Sequence, residues 1–384
     1  MKPLSHPQQI SASIEVFGFR FRSRTAYSKP PVAVRATTIA ALFFVFLTAS
    51  SRAQFAYVAN ADSGDISAYS IDPNGSLTPV PGSPFSAGIE PFSVSVDSLA
   101  RFAYATNFSG NNVAAYRIGS NGALTPVSGS PFETGIAPIS IAVDPMARFV
   151  YVANSGDNNI SAYAIDSSGA LVPVPDAPFS AGFAPASVAV DPTARFAYVA
   201  NKISNNVSAY RIRPNGCLTP VPGSPFAAGI GPRSVAVDSA ARFAYVVNEL
   251  GNSVSGYRID ASGALVPIQG SPFPTGQGPI QVAVDPTARF LYVANRVSND
   301  ISAYSIGSNG VLTPVWGSPF AGADQPISVA VDRTARFAYA LNRVGNNVSV
   351  YSIGSNGALT PVPGSPFAAG IEPVSVAVTR PVLK

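Results

Sequence analysis

The chain has 384 residues, 47% of them apolar and 11% charged, with a mean hydropathy of +0.24 that is high for a soluble protein; it can bury a large core. Its formal charge of +4 and pI near 9.2 point toward nucleic acid or an anionic membrane. That pointer fails, because residues 1–53 hold seven of the 24 basic residues and one of the 20 acidic ones, which leaves 17 basic against 19 acidic residues and a net charge of −2.

In chain order, the first element is a leader. A basic stretch (Arg20, Arg22, Arg24, Lys29, Arg35) precedes an apolar run from Ala36 to Ala49 and then Ser51-Arg52-Ala53. The run is shorter than the roughly 20 residues a spanning helix needs, and an A-x-A-like site follows it. This predicts a signal peptide over 1–53, cleaved after Ala53. It also predicts an exported protein, periplasmic or extracellular, with no membrane segment after cleavage. The only histidine, His6, leaves with the leader. A chain without imidazole has no Ser-His-Asp or Cys-His machinery and no histidine-based metal site. Cys217 stands alone, so no intrachain disulfide forms. Siblings of its slot are mostly Ala, so it reads as a small packing residue.

From residue 54 to 384 the sequence is a repeat. Tyrosines at 57, 104, 151, 198, 245, 292 and 339 are 47 residues apart, and a second series from Tyr69 to Tyr351 keeps the same step. A period in the forties, rich in Val, Tyr, Phe, Gly and Pro and without helical spacing, predicts an all-β propeller of seven blades. Each blade divides into four antiparallel strands, named A to D from inside outward. In the unit around Tyr198 they are Ser187–Val190, Phe196–Asn201, Val207–Ile212 and Leu218–Val221. The A–B turn, DPTAR in this unit, repeats its Asp and Arg in six units, which marks a structural clasp. Glycine closes every C–D turn. The repeat begins on strand B at Phe55 and ends on an extra strand A, Val374–Val378, which is placed to complete the first blade and close the ring. A β-helix with long turns is the alternative, and it leaves the missing first strand unexplained.

Chemistry resides where copies differ. The D–A and B–C connections share one face, so the start of A and the end of B crowd one mouth of the channel. Arg233 begins an A strand where the other six units carry apolar residues, and Glu249 follows the adjoining B strand. Antiparallel pairing about the 238–242 turn predicts the two side chains nearly opposite, with Cβ atoms about 5 Å apart. Lys202, Glu249, Arg296 and Arg343 occupy one slot on four successive blades, an arc of charge suited to a small anionic ligand. The plainer alternative is a surface ion pair of Arg233 with Glu249, worth about 0–1 kcal/mol. Glu90 and Glu372 stand before strand A on the same side as reserve acids. Trp316 sits on the outermost strand, either stacking on a sugar or standing as an edge aromatic. Loops such as Ser155–Asn159 lack calcium-loop spacing, and no phosphate-binding or dinucleotide motif occurs, so neither metal nor cofactor is expected.

The recurring FAYVAN, ISAY and GALTPVPGSPF segments resemble YVTN-type repeats and the seven-bladed β-propeller lactonase family, which includes 6-phosphogluconolactonase and carboxymuconate-lactonising enzymes. The resemblance runs from Phe55 onward, and GPRSVAV with FAYVVNEL, within Gly231–Leu250, is its functional part. It implies catalytic roles for Arg233 and Glu249; the charge arc beside them adds Lys202, Arg296 and Arg343, with Asn248, as expected substrate-binding residues. The family's histidine after the arginine is Ser234 here, and a Pro-His pair of the preceding blade reads Pro185-Ala186. The expected activity is therefore hydrolysis of a sugar-acid or other anionic lactone without imidazole, Glu249 acting as base and Arg233 stabilising the oxyanion. The competing expectation is a non-catalytic exported scaffold that binds a glycan, peptide or surface protein. Both are read as monomers, and neither involves nucleic acid.

Overall fold

The computed structural model describes residues 54–321 and 324–380; the predicted leader lies outside them. In the blade around Tyr198, strand A is Pro185–Val190, B is Phe196–Asn201 and C is Asn206–Ile212. The fourth strand is split. Leu218–Pro220 and Phe226–Ala227 both pair antiparallel with C, placing Leu218 opposite Ile212 and Phe226 opposite Val207. The intervening VPGSP stretch holds two prolines, which have no N–H to donate to a ladder. Ser224 in that stretch patches the gap, its hydroxyl accepting the Ala209 N–H at 2.9 Å.

Seven such sheets follow one another around a closed ring. The first blade is assembled from both ends of the propeller. Its inner strand, Pro373–Val378, pairs antiparallel with Gln54–Asn60, with Val378 opposite Ala56 and Val376 opposite Val58. The join is sealed by Thr379, whose hydroxyl accepts the Phe55 N–H while its own N–H donates to the Phe55 carbonyl, both at 2.9 Å.

Every B strand is buried along its whole length, because the blades stack face to face and cover it on both sides. That is why FAYVAN reads as a nearly continuous apolar run with no alternation. The clasp expected from the A–B turn is present. Asp191, 1% exposed, accepts the N–H groups of Arg195 and Phe196 on one oxygen, and the Arg195 guanidinium lies 5.1 Å from the centre of the Phe196 ring.

Three belts of hydrogen bonds tie blade to blade. The B-strand tyrosines are fully buried, and six of the seven hydroxyls donate to the carbonyl of the C–D glycine one blade on: Tyr198 to Gly263 at 3.0 Å, Tyr245 to Gly310 at 2.8 Å. The C-strand tyrosines reach back to the preceding blade, as Tyr210 does to the Ser180 carbonyl at 2.6 Å. Around the channel, a serine of five inner strands, and Gln281 of a sixth, accepts an N–H from the next, for example Ser187 from Val235 and Ser234 from Val282. At the junction of the last blade with the first, two of these contacts are missing: the buried Tyr339 hydroxyl and Ser328 hydroxyl have no partner.

This asymmetry makes a direct prediction. Tyr245→Phe strands the Gly310 carbonyl and should cost about 1–3 kcal/mol, whereas Tyr339→Phe removes an already unpaired hydroxyl and should be neutral or slightly stabilising. Urea unfolding of the two variants checks it; equal losses would show that the junction is bonded like the others.

Candidate active site

The mouth on the D–A and B–C face is built by one repeated backbone contact. The residue after each B strand donates its N–H to the carbonyl of the residue before the A strand: Glu249 to Gly231 at 2.8 Å, Lys202 to Ala184 at 2.9 Å, Arg296 to Gly278 at 3.0 Å and Arg343 to Gln325 at 3.2 Å. The rim backbone is thereby fixed while its side chains are free to vary.

Each A strand also carries a bulge at its second residue. In this blade Pro232 pairs with Asn248 and Ser234 with Val247, which leaves Arg233 outside the ladder. A bulge re-aims its side chain, and the expected face-to-face pairing of Arg233 with Glu249 does not form. Glu249 instead reaches sideways to both neighbouring blades. Its Oε2 lies 2.7 Å from the Lys202 ammonium and its Oε1 accepts a hydrogen bond from Arg296 Nη2 at 3.3 Å. Glu249 is only 9% exposed, and both its oxygens are engaged by cations of the neighbouring blades.

Arg233 completes this cluster without touching the carboxylate in an ion pair. Burial pushes its pKa down, the Glu249 charge pushes it up and Arg296 pushes it down again. Three cations from three successive blades thus surround one buried carboxylate, a local excess of two positive charges. Arg343 stands apart from them, ion-paired with Glu372 of the first blade. Glu90 accepts a hydrogen bond from Ser109.

Asn248 has a different role from the expected one. It is fully buried; its amide donates to Ser253 and Ser255 at 3.0 Å and its oxygen accepts the Gly229 N–H at 3.1 Å. Asn201 on the preceding blade does the same, donating to Asn206 and Ser208 and accepting from the Gly182 N–H, so Asn248 braces the mouth loops and presents nothing to a ligand. Trp316 is 88% exposed in the turn between the two halves of the outer strand, away from the mouth. Cys217 is buried, its thiol against the Pro175 carbonyl at 3.2 Å.

One feature of this face escaped the sequence reading. Exposed apolar side chains ring the charged mouth: Ile89, Ile136, Phe183, Ile230 and Ile371 on D–A loops, and Ile203, Leu250, Val297 and Val344 on B–C loops. Alignment of the copies shows them recurring two places before strand A or after strand B, but exposure is not readable from letters.

The family model for "Lactonase, 7-bladed beta-propeller" matches the chain in three overlapping stretches, residues 43–135, 126–224 and 209–378. The chain belongs to this family. Among curated proteins, none matches the sequence. Solved structures share the lactonase fold: a candidate 6-phosphogluconolactonase from Bacteroides fragilis (TM-score 0.75, 20% identity, 85% of this chain and 98% of that one) and the periplasmic gluconolactonase of Pseudomonas aeruginosa (TM-score 0.74, 19% identity, 86% and 99%). A candidate 6-phosphogluconolactonase from Bacteroides uniformis is alike to the same degree (TM-score 0.76, 18% identity, 85% and 99%). Within this lactonase framework, the position expected to carry the family's histidine is Ser234, 8% exposed and engaged in the belt around the channel.

Glu249 is the counter-ion that allows three cations to share this corner. Glu249→Gln should destabilise the protein by about 1–3 kcal/mol at low ionic strength, and part of that loss, through the partly exposed Lys202 and Arg296, should be relieved near 1 M NaCl. Urea unfolding at both salt concentrations decides; a loss independent of salt would mean that packing, not charge, holds the cluster.

Proposed function

We propose that the protein is an exported lactonase that opens a sugar-acid or other anionic lactone at the D–A and B–C mouth. The observation that carries this is the buried Glu249 carboxylate with three cations around it. Family membership supports the reaction class. In the reading that follows, Glu249 takes a proton from a water as that water attacks the lactone carbonyl carbon. Arg233, placed nearby and free of an ion pair, faces the developing oxyanion, and collapse of the tetrahedral intermediate breaks the ring C–O bond. The proton held by Glu249 passes to the departing alkoxide, giving the open hydroxy acid. Lys202 and Arg296 exchange part of their contact with Glu249 for the substrate's anionic group. Arg343, engaged by Glu372, has no role in this scheme.

A second reading, a non-catalytic scaffold that binds a glycan or surface protein, is favoured by the exposed apolar ring on the same face. Hydrolysis of gluconolactone and 6-phosphogluconolactone by the purified protein, followed by pH-stat, separates the two. The lactonase reading expects turnover above buffer, with kcat/KM falling about a hundredfold or more in Glu249→Ala and in Arg233→Ala. Rates at the buffer background in all three proteins would leave the scaffold.

A further inference from the structure

The opposite end of the channel carries a second concentration of positive charge, remote from the mouth. There a cavity of about 840 Å3 is bordered by the ends of the inner strands and by the A–B turns. Seven valines at 47-residue steps, Val96 through Val378, form its wall. Above them, the second residue after each valine is Ser or Pro in five blades and arginine in the last blade and the first, Arg333 and Arg380. These two blades are neighbours across the ring closure, so both arginines border the same side of the cavity.

Among the described residues neither arginine takes part in an ion pair. Asp144 and Asp285 also border the cavity, but both are buried and committed to their own turns: Asp144 to Arg148 and the Phe149 N–H, Asp285 to Thr287 and the N–H groups of Arg289 and Phe290. Asp332, beside Arg333, is likewise held by the N–H groups of Thr334, Arg336 and Phe337. In the first blade no A–B turn exists, and Thr379 stands at the clasp aspartate's place, bonded to Phe55 without a carboxylate. Both arginines are exposed to solvent at the rim; crowding of Arg333 by the surrounding protein, and after it the charge of Arg380, push the Arg333 pKa down. Two like charges at the rim of one concave cavity cost energy that a bound dianion would relieve.

We propose that this end of the channel binds a small dianion with oxyanion oxygens, a phosphate or a dicarboxylate, between Arg333 and Arg380, with the valine ring covering its less polar side. The proposal is independent of the reaction at the mouth. Its test is calorimetric titration with inorganic phosphate and with succinate, acetate serving as the monoanion control. The titrations use a Lys202→Ala/Arg296→Ala background that removes the cations of the other site. Saturable binding of phosphate or succinate is expected, weakened about tenfold by Arg333→Ala and by Arg380→Ala and largely retained in Arg333→Lys. Which of the two probes binds identifies the anion class. Absence of saturable binding by both, binding as strong for acetate, or binding unchanged by the arginine variants would overturn it; circular dichroism of each variant confirms that the ring is intact.

Discussion

A buried phenol donating to a glycine carbonyl of the next blade is the contact on which this propeller depends. Sheets stacked around an axis need something that fixes their spacing and angle, and apolar packing alone is tolerant of sliding. The tyrosine hydroxyl supplies direction. Tyr198 lies wholly inside, its ring packed between blades, and its single polar atom must find an acceptor or lose a costly hydrogen bond. Gly263 provides that acceptor in a turn with φ of +92°, and a side chain there would collide with the Phe196 ring. Tyrosine, phenylalanine and glycine are therefore one device, repeated with the period of the fold.

With blade spacing fixed in this way, the two ends of the channel become platforms whose backbone is constant and whose side chains are not. At the mouth, the N–H of each rim residue is anchored to the loop before strand A, whatever the side chain. That constancy lets Lys202, Glu249 and Arg296, all in equivalent slots, meet across blade boundaries, and a bulge lets Arg233 stand behind them. The ionic contacts run around the ring between blades, not along a hairpin within one blade. At the far end the same logic places Arg333 and Arg380 beside one another because the ring joins its last blade to its first.

The closure itself differs from the other joints. The first blade takes its inner strand from the end of the repeat and replaces the clasp aspartate with Thr379. On that side the Tyr339 and Ser328 hydroxyls find no acceptor or donor, and the Tyr69 hydroxyl on the Ala368 carbonyl, with the apolar packing of Val58, Tyr69, Tyr339 and Val350, joins the last blade to the first.

The 47-residue period, the seven copies, the four-strand blade and the closing strand were all legible in the sequence, because each follows from local chemistry repeated at a fixed interval: a turn needs its Asp or Gly, a doubly covered strand needs its apolar run. The singular residues Arg233 and Glu249 were visible too, by comparison of the copies. Their partners were not. Whether Glu249 faces Arg233 or Lys202 and Arg296 depends on a bulge and on the distance between blades, neither of which leaves a mark in any one repeat. Asn248 reads as polar beside a site, yet its environment buries it. Sequence alone determined the unit and its number, since those rest on contacts within a repeat. The tertiary structure decided which charges meet, since those contacts exist only between repeats once the ring has closed.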